Sequence, residues 1–396
     1  MKIDRIEVIN LKFDYPNRAG FQYAAGVCTG RLTTLVLVHT DTDLIGHGSA
    51  YTHPTLAEMI IKQQLEPLLI GEDPREVETL WTRMYGITRW YGRKGVAMTA
   101  LGGIDTALWD LRAQAAGKPL YALLGGTRTT CPAYASGLLW REPSELAEEA
   151  ASYIARGFRR VKMRLARSPE YDRAAVTAVR KAIGDKNDVI VDGSMRYSVK
   201  VAREIGKFLA EKKVFWFEEP FAPEDLDSFA ALHGTVNLPI AAGENEFGVQ
   251  GFRELIESGS IDIVQPDVSR CGGVSETLKI AKLAASRKLP IATHTWCDAV
   301  AIVANAHVVS AMPNGLTVEI DQTRTPFVDE LLAEPLRVAN GELPLSKAPG
   351  LGIRLNQSVL KRYRVDVSKR VEDGSYSDMA FGRSYFTPAP PYQEKG

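Results

Sequence analysis

Residues 189–192 read Val-Ile-Val-Asp, a short apolar run that ends in a carboxylate, and the same pattern returns along the chain. Residues 214–218 read Val-Phe-Trp-Phe-Glu, and residues 240–244 read Ile-Ala-Ala-Gly-Glu. Amphipathic stretches of helical length separate these runs. Short buried strands that alternate with helices predict βαβ crossovers, and therefore a parallel sheet.

The run-and-helix pattern occurs eight times, which is the number of units that a closed (β/α) barrel requires. The chemical groups that end the runs from residue 192 onward lie 23 to 27 residues apart, about one βα unit each. A doubly wound sheet is the competing fold and ranks second, because no Gly-x-Gly-x-x-Gly turn follows a strand. The predicted strands are residues 133–135, 160–164, 189–191, 215–217, 240–242, 261–264, 290–293 and 316–318.

The first third of the chain has a different pattern, in which strand candidates precede helix candidates. Residues 1–130 therefore predict a separate α+β domain, residues 131–330 the barrel, and residues 331–396 a segment that returns toward the first domain and ends in a polar tail. The first helix is predicted to begin at Thr55, with a capping box between Thr55 and Glu58.

The composition is that of an ordinary globular protein, with 45% hydrophobic and 24% charged residues. Lys plus Arg and Asp plus Glu number 48 each, so no strongly basic field exists to hold nucleic acid or an anionic membrane, and neither partner is expected. Charged residues interrupt every apolar run, and the chain starts as a strand rather than a secretory signal. We expect a cytoplasmic protein whose four cysteines are reduced and structural.

Three carboxylates, those of Asp192, Glu218 and Glu244, end consecutive predicted strands. In a barrel the carboxyl ends of all strands open into one mouth, so residues far apart in the chain become neighbours. Three carboxylates without a counter-ion would repel one another, and an all-oxygen ligand set suits a hard cation. The pattern predicts a Mg²⁺ site, which Mn²⁺ would also fit.

Cationic and acid–base groups end other predicted strands. Lys162 and Arg164 are one residue apart, so both side chains fall on the same face of their strand, and only the lysine can release its proton. Asp267 lies one βα unit before His294, where its carboxylate can hydrogen-bond one ring nitrogen and raise the basicity of the other. His294 is therefore the predicted general acid or base.

Two loops of the first domain, residues 15–23 and 51–54, are candidates for a lid over the barrel mouth, because covering loops supply selectivity and exclude water. An ordinary surface turn is the alternative for each loop. The basic aromatic run at residues 89–94 reaches toward a substrate or is a solvated loop. His47 and His53 have no carboxylate partner in the sequence pattern and are interpreted as structural.

Together these residues resemble the enolase superfamily and, within it, the mandelate racemase subgroup. The resemblance covers most of the chain and implies an enolase-type (β/α) barrel, an N-terminal α+β capping domain completed by part of the C-terminal segment, and a homo-oligomer. The stretches that carry it are residues 100–111, 117–119, 123–126, 191–194, 216–220, 242–244, 265–267 and 271–273.

The resemblance also implies roles for individual residues. The implied Mg²⁺ ligands are Asp192, Glu218 and Glu244. Asp267 and His294 are the implied dyad, and Glu319 is the last-strand carboxylate that hydrogen-bonds the substrate carboxylate or enolate. The catalytic residues are then Lys162, Arg164, Asp267, His294 and Glu319, and the substrate-binding residues are Arg164, Ser194 and Glu319.

The chain departs from the family pattern at two positions. Lys162-Met163-Arg164 stands where the family usually has Lys-x-Lys, and Ser194 stands where an asparagine is common. The second lysine of the family motif is commonly a base, and arginine cannot replace it in that role. A two-base racemase is therefore disfavoured unless Lys162 serves as the second base.

The expected reaction is Mg²⁺-dependent dehydration of an aldonate or aldarate to a 2-keto-3-deoxy acid, by α-proton abstraction and a metal-stabilised enediolate. The alternative is a cycloisomerase or epimerase that acts on a sugar-acid lactone or related carboxylate. The late segment, from residues 321–327 through 349–353, resembles sugar-lactone cycloisomerases of the subgroup. A non-catalytic binder of acid sugars is the third hypothesis. In each case the partner is a small-molecule carboxylate.

Overall fold

The structure is a computed structural model that describes residues 1–18, 20–367, 375–376, 379–381 and 392. The polar tail predicted from Val371 lies largely outside these residues. Among the described residues, no helix has both the length and the apolar character needed to cross a membrane.

The first part of the chain forms an antiparallel sheet. Strands β1 and β4 pair along their whole length, with Ile6 opposite Val38, and β5 pairs with the second half of β4. The strand β4 is buried on both faces over nearly all of its length, and Arg31 near its start donates to Asp321 of the barrel. The strands are β1 (Ile3–Asp14), β2 (Phe21–Tyr23), β3 (Gly26–Cys28), β4 (Gly30–Thr40) and β5 (Ile45–Ser49).

Four helices follow, α1 (Pro54–Ile60), α2 (Val77–Thr88), α3 (Val96–Ala115) and α4 (Leu120–Leu123). The predicted capping box is wrong. The helix begins one residue earlier, at Pro54, whose fixed φ angle suits the first helical position. The hydroxyl of Thr55 instead donates to the carbonyl of Val367, and Glu58 accepts from Asn10.

Helix α3 packs closely against β5. A Cβ atom at Gly48 would collide with the carbonyl oxygen of Gly103, so only glycine allows the helix to lie this near the strand. On its other side α3 contacts the barrel, where Asp105 accepts hydrogen bonds from the backbone and hydroxyl of Ser275. Helix α3 therefore joins the two parts of the molecule.

The second part confirms the predicted barrel, because β13 pairs with β6 in parallel and closes an eight-stranded sheet. Each predicted strand overlaps an observed one. The strands are β6 (Thr130–Ser136), β7 (Arg160–Arg164), β8 (Asp188–Asp192), β9 (Phe217–Glu218), β10 (Ile240–Ala242), β11 (Ile263–Val264), β12 (Ile291–Thr293) and β13 (Gly315–Asp321). The helices between them are α5 (Pro143–Ala155), α6 (Pro169–Ile183), α7 (Val199–Glu211), α8 (Leu226–Leu232), α9 (Gly248–Glu257), α10 (Gly273–Ser286) and α11 (Ala299–Ala311).

The last part of the chain contacts both preceding parts. Helix α12 (Pro326–Asp329) follows the barrel, and β14 (Glu342–Pro344) pairs antiparallel with β6. Helix α13 (Gln357–Tyr363) precedes a short antiparallel pair, β15 (Ser375–Tyr376) and β16 (Met379–Ala380). Strand β16 pairs with the first two residues of β4, so the chain returns to the N-terminal sheet.

The barrel interior below the mouth is filled by side chains rather than open. Trp216 and Tyr134 are fully buried there, with ring centroids 5.6 Å apart in an edge-on arrangement. Small and branched side chains complete this inner layer, namely Ile190, Ala241, Ile263 and Ala292. The packed layer forms a dry floor beneath the charged groups at the strand ends.

His307 is a buried histidine that joins three parts of the chain. Its Nδ1 accepts the backbone N–H of Tyr121 at 3.0 Å, which leaves the proton on Nε2, 3.3 Å from the carbonyl oxygen of Leu351. Burial lowers the pKa of His307 from 6.5 to about 4. Between these pH values the unfolded chain binds a proton that the folded chain does not, so stability falls as the pH falls.

We expect the free energy of unfolding to drop by about 3 kcal/mol through His307 alone between pH 6.5 and pH 4, at about 1.4 kcal/mol per pH unit. Chemical denaturation across this range, with wild type compared to His307→Gln, measures the effect. The free energy of unfolding of His307→Gln should depend less on pH than that of wild type. The control is His233→Gln, which replaces a half-exposed histidine of the barrel and should match wild type. Equal slopes for wild type and His307→Gln would show that burial does not disfavour the charged imidazole.

Candidate active site

The charged groups at the strand ends meet at one mouth of the barrel, as the repeat predicts. Lys162 and Arg164 on β7 are both buried and point inward, whereas Met163 packs into the core on the opposite face of the strand. Asp192 ends β8, Glu218 ends β9, and the others follow their strands within three residues or, like Glu319, lie inside a strand. The closed sheet therefore brings together groups that are more than 150 residues apart.

Three carboxylates form a compact cluster at this mouth. The nearest ligand oxygens of Asp192, Glu218 and Glu244 all lie within 4.8 Å of one another. The Oε2 atom of Glu244 is buried and has no hydrogen-bond partner among the described residues. Oε1 of Glu218 accepts from Lys162 and keeps a second lone pair, whereas Oε2 accepts from both Trp216 and Gln265. An all-oxygen set with an unpartnered buried oxygen fits a hard divalent cation.

Lys162 lies beneath this cluster and is held by two carboxylates. Its Nζ is 2.6 Å from Oε1 of Glu218 and 2.7 Å from Oε1 of Glu319. Burial opposes its charge, but the Glu218 and Glu319 carboxylates outweigh burial and raise the pKa of Lys162 above its usual range. The side chain is 1% exposed, and the two carboxylates hold its charge in place at the strand end.

Arg164 forms an ion pair with Oδ2 of Asp192, and its guanidinium carbon lies 5.1 Å from the ring centre of Trp296. Ser194, two residues after Asp192, has a left-handed backbone conformation (φ 50°), and its backbone N–H donates to Oδ1 of Asp192 at 2.7 Å. Asp192 is thus oriented from both sides.

His294 and Asp267 form the predicted pair. Nδ1 of His294 is 2.8 Å from Oδ2 of Asp267, which fixes the proton on Nδ1 and directs Nε2 toward Glu244 and Glu319, at 3.6 and 3.8 Å. Burial alone would lower the pKa of His294, but Glu244, Glu319 and then Asp267 raise it to about 9. The ring also stacks on Tyr51, with centroids 5.7 Å apart. The orientation leaves one nitrogen for proton transfer.

The sequence pattern did not predict a role for Glu219. This residue is buried directly after Glu218, in a left-handed conformation (φ 32°), and Asn245 donates to its Oε2 at 2.7 Å. Burial and the neighbouring Glu244 raise the pKa of Glu219 to about 8. The side chain lines the same cavity as Glu244, so a fourth carboxyl group lies beside the cluster.

A cavity of about 640 Å³ lies between the barrel mouth and the N-terminal domain. The barrel side supplies Arg164, Ser194, Glu244 and His294 from the predicted set, whereas the other predicted residues are not part of the lining. Both candidate lid loops reach the cavity, through Tyr23 and through residues 51–53. No residue of the run at 89–94 lines it, and Trp90 in that run is 80% exposed.

The interpretation of the two N-terminal histidines needs correction. His47 does have a carboxylate partner, because its Nδ1 lies 2.9 Å from Oδ2 of Asp110 on helix α3, which no local pattern reveals. His53 lines the cavity, and its Nδ1 is buried without a hydrogen-bond partner among the described residues.

Two family profiles match this chain. Residues 5–125 match the family described as mandelate racemase / muconate lactonizing enzyme, N-terminal domain, and residues 145–359 match the enolase C-terminal domain-like family. The chain belongs to the enolase superfamily, in its mandelate racemase subgroup. The N-terminal domain is therefore the capping domain of this superfamily, and the barrel corresponds to its C-terminal domain.

Characterised relatives in the superfamily include sugar-acid enzymes of two kinds. The chain is 34% identical to D-galactarolactone cycloisomerase of Agrobacterium fabrum, over 91% of this chain and 98% of the relative. It is 32% identical to arabinonate dehydratase of Saccharolobus solfataricus, over 83% and 89%. Among solved structures, a racemase from Streptomyces coelicolor A3(2) with bound magnesium has a TM-score of 0.85 and 28% identity, over 92% of this chain and all of that chain.

Proposed function

We propose that this enolase-superfamily enzyme removes the α-proton of a sugar acid and eliminates the β-hydroxyl as water, which yields a 2-keto-3-deoxy acid. The observation that carries the proposal is the Nε2 atom of His294, which faces the cavity beside the three-carboxylate cluster while Asp267 holds the other ring nitrogen. The kinship to sugar-acid dehydratases and cycloisomerases supports the substrate class.

Asp192, Glu218 and Glu244 are the proposed ligands of Mg²⁺. When bound, this cation supplies the positive charge that stabilises a developing enediolate. The carboxylate of Glu319 lies 3.8 Å from Nε2 of His294. It is proposed to accept a hydrogen bond from a protonated oxygen of the substrate carboxylate or enolate. Ser194 and Arg164, which line the cavity, are proposed to bind the substrate on the opposite side.

Lys162 and Arg164 have the proposed role of offsetting charge. The carboxylates that contact Lys162 and Arg164 keep both cations in place at the end of β7, next to the three-carboxylate cluster. Neither cation is proposed to act as a base. Substitution of the second family lysine by arginine leaves this function intact, because arginine retains its charge at every relevant pH.

The proton transfers are proposed to run through His294. Asp267 keeps Nε2 directed at the cavity and stabilises the imidazolium that forms when the ring takes the α-proton. The same nitrogen then gives the proton to the departing β-hydroxyl, so the C–H and C–O bonds break on one face and water leaves. The enol that remains takes a proton from solvent at the β-carbon, releases its hydroxyl proton to solvent and becomes the 2-keto acid. One acid–base group is enough for this elimination, whereas racemisation needs a group on each face.

Cycloisomerisation of a sugar-acid lactone is the second candidate function. The specific observation that favours it is the 34% identity to D-galactarolactone cycloisomerase over 98% of that relative. Both reactions begin with the same α-proton abstraction, and they differ in whether the leaving oxygen departs as water or stays attached as the opened ring.

A screen of aldonates, aldarates and their lactones with Mg²⁺ distinguishes the two. The expected result is a 2-keto-3-deoxy acid from a free sugar acid, detected by NMR and abolished by a chelator. Ring opening of a lactone, without turnover of free acids, would instead establish the cycloisomerase. Binding of a sugar acid with neither reaction would favour the non-catalytic binder.

A further inference from the structure

Arg270 lies at the rim of the cavity, three residues after Asp267, and its environment differs from that of the other cations at the mouth. Its guanidinium carbon is 5.0 Å from the ring centre of Tyr51 and 5.5 Å from that of Phe247, and all three residues line the cavity. Aromatic contacts of this kind hold a guanidinium by its flat faces and leave its N–H edge for other partners.

The hydrogen bonds of Arg270 are incomplete. One terminal nitrogen donates to Oδ1 of Asn245 at 3.2 Å, whereas Nε is buried and has no partner among the described residues. Within the same part of the chain no carboxylate forms an ion pair with this guanidinium. A buried donor on a charged group is costly to leave unpaired, so the position is prepared for an anionic acceptor.

Lys162 and Arg164, the two cations at the end of β7, already have acidic partners. Lys162 contacts Glu218 and Glu319, and Arg164 contacts Asp192. Arg270 lines the cavity wall and has no such partner within the described residues, whereas Arg196, on the same wall, donates to the carbonyl oxygen of Ala166 and lies over the ring of Trp140. Arg270 lies over Tyr51, which also stacks on His294, so it is on the same side of the cavity as the proposed acid–base group.

We propose that Arg270 binds a second carboxylate of the substrate, so that the enzyme acts on dicarboxylic sugar acids in preference to monocarboxylic ones. This inference rests on the proposed function, and it names the substrate class within it. A carboxylate matches the planar N–H fork of arginine with two parallel hydrogen bonds and neutralises its charge, whereas a terminal hydroxyl does neither.

The test measures binding in a background without turnover. The His294→Asn variant, loaded with Mg²⁺, is titrated by calorimetry with a panel of hexarates and the matched hexonates, including galactarate with galactonate and glucarate with gluconate. At least one dicarboxylate should bind about 10- to 100-fold more tightly than its monocarboxylate partner, the value of a charge-assisted hydrogen-bonding pair. Adding Arg270→Gln should remove that difference and leave the monocarboxylate affinity within about twofold.

Two further variants separate recognition from structure. Arg270→Lys should recover part of the preference, because lysine keeps the charge and loses the fork. Arg253→Gln, an exposed arginine on α9, should change neither affinity. A purely structural role for Arg270 would weaken both members of each pair equally, and that result overturns the proposal.

Three other outcomes also overturn it: equal affinity for both members of every pair, no binding of any dicarboxylate, or tighter binding of 6-phosphogluconate than of any dicarboxylate. Failure of the proposed function is detected separately, as the absence of turnover by the wild-type enzyme. A dicarboxylate preference without turnover would keep the binding inference and reject the reaction.

Discussion

Replacing Glu244 by glutamine is expected to lower kcat/KM by about 10³-fold or more, because the cation at this site supplies several kcal/mol of transition-state stabilisation. Mg²⁺ affinity should fall by at least about tenfold. Loss of a residue that only hydrogen-bonds to a metal ligand already lowers metal affinity by about 10- to 100-fold. The variant should fold normally. It removes one of three mutually repelling carboxylates, so its stability without metal should equal or exceed that of wild type.

Calorimetric titration with MgCl₂, steady-state kinetics and thermal unfolding in a chelator together measure these effects. The matched control is Glu246→Gln, two residues along the chain, where the carboxylate pairs with Lys94. That control should keep both metal affinity and turnover. If Glu244→Gln bound Mg²⁺ as tightly as the control, the three-carboxylate cluster would not be the metal site.

Asparagine in place of His294 is expected to lower turnover by about 10²- to 10⁴-fold, the usual contribution of a positioned general acid or base. Substrate and metal binding should change little, because the amide fits the same space and no proposed metal ligand is lost. The decrease should therefore appear in kcat rather than in KM.

Kinetics and α-proton exchange with the same substrate check this prediction. His233→Asn serves as control, since that histidine lies at the barrel surface beside Asp262. Substitution of Asp267 by asparagine should give a smaller loss than His294→Asn, because the ring stays and only its orienting partner changes. Turnover of His294→Asn close to wild type would show that another group moves the proton.

Much of the fold was predictable because it rests on a repeat. Eight apolar runs at near-constant spacing leave few alternatives to a barrel, and the strand ends then converge without any knowledge of distant contacts. For the same reason the sequence placed Asp192, Glu218, Glu244, Asp267 and His294 at one mouth. Alternation along β7 was enough to orient Lys162 and Arg164 together, with Met163 on the other face.

The remaining features depend on contacts between distant segments or on single backbone angles. The pairing of His47 with Asp110 joins a strand and a helix that are 63 residues apart. Glu219 should point away from Glu218 by strand alternation, but the strand ends there and a positive φ turns its side chain back to the cavity. Arg270 lies over Tyr51, a residue of the N-terminal domain, and no spacing in the sequence encodes that contact.

The most direct test of the proposed α-proton abstraction is deuterium incorporation by the wild-type enzyme in D₂O with Mg²⁺, followed by ¹H NMR across the sugar-acid panel. We expect one sugar acid to lose its α-proton and to give a 2-keto-3-deoxy acid with one deuterium at C3, and we expect a chelator to stop both changes. Retention of every α-proton, with no product from any sugar acid or lactone, would contradict it.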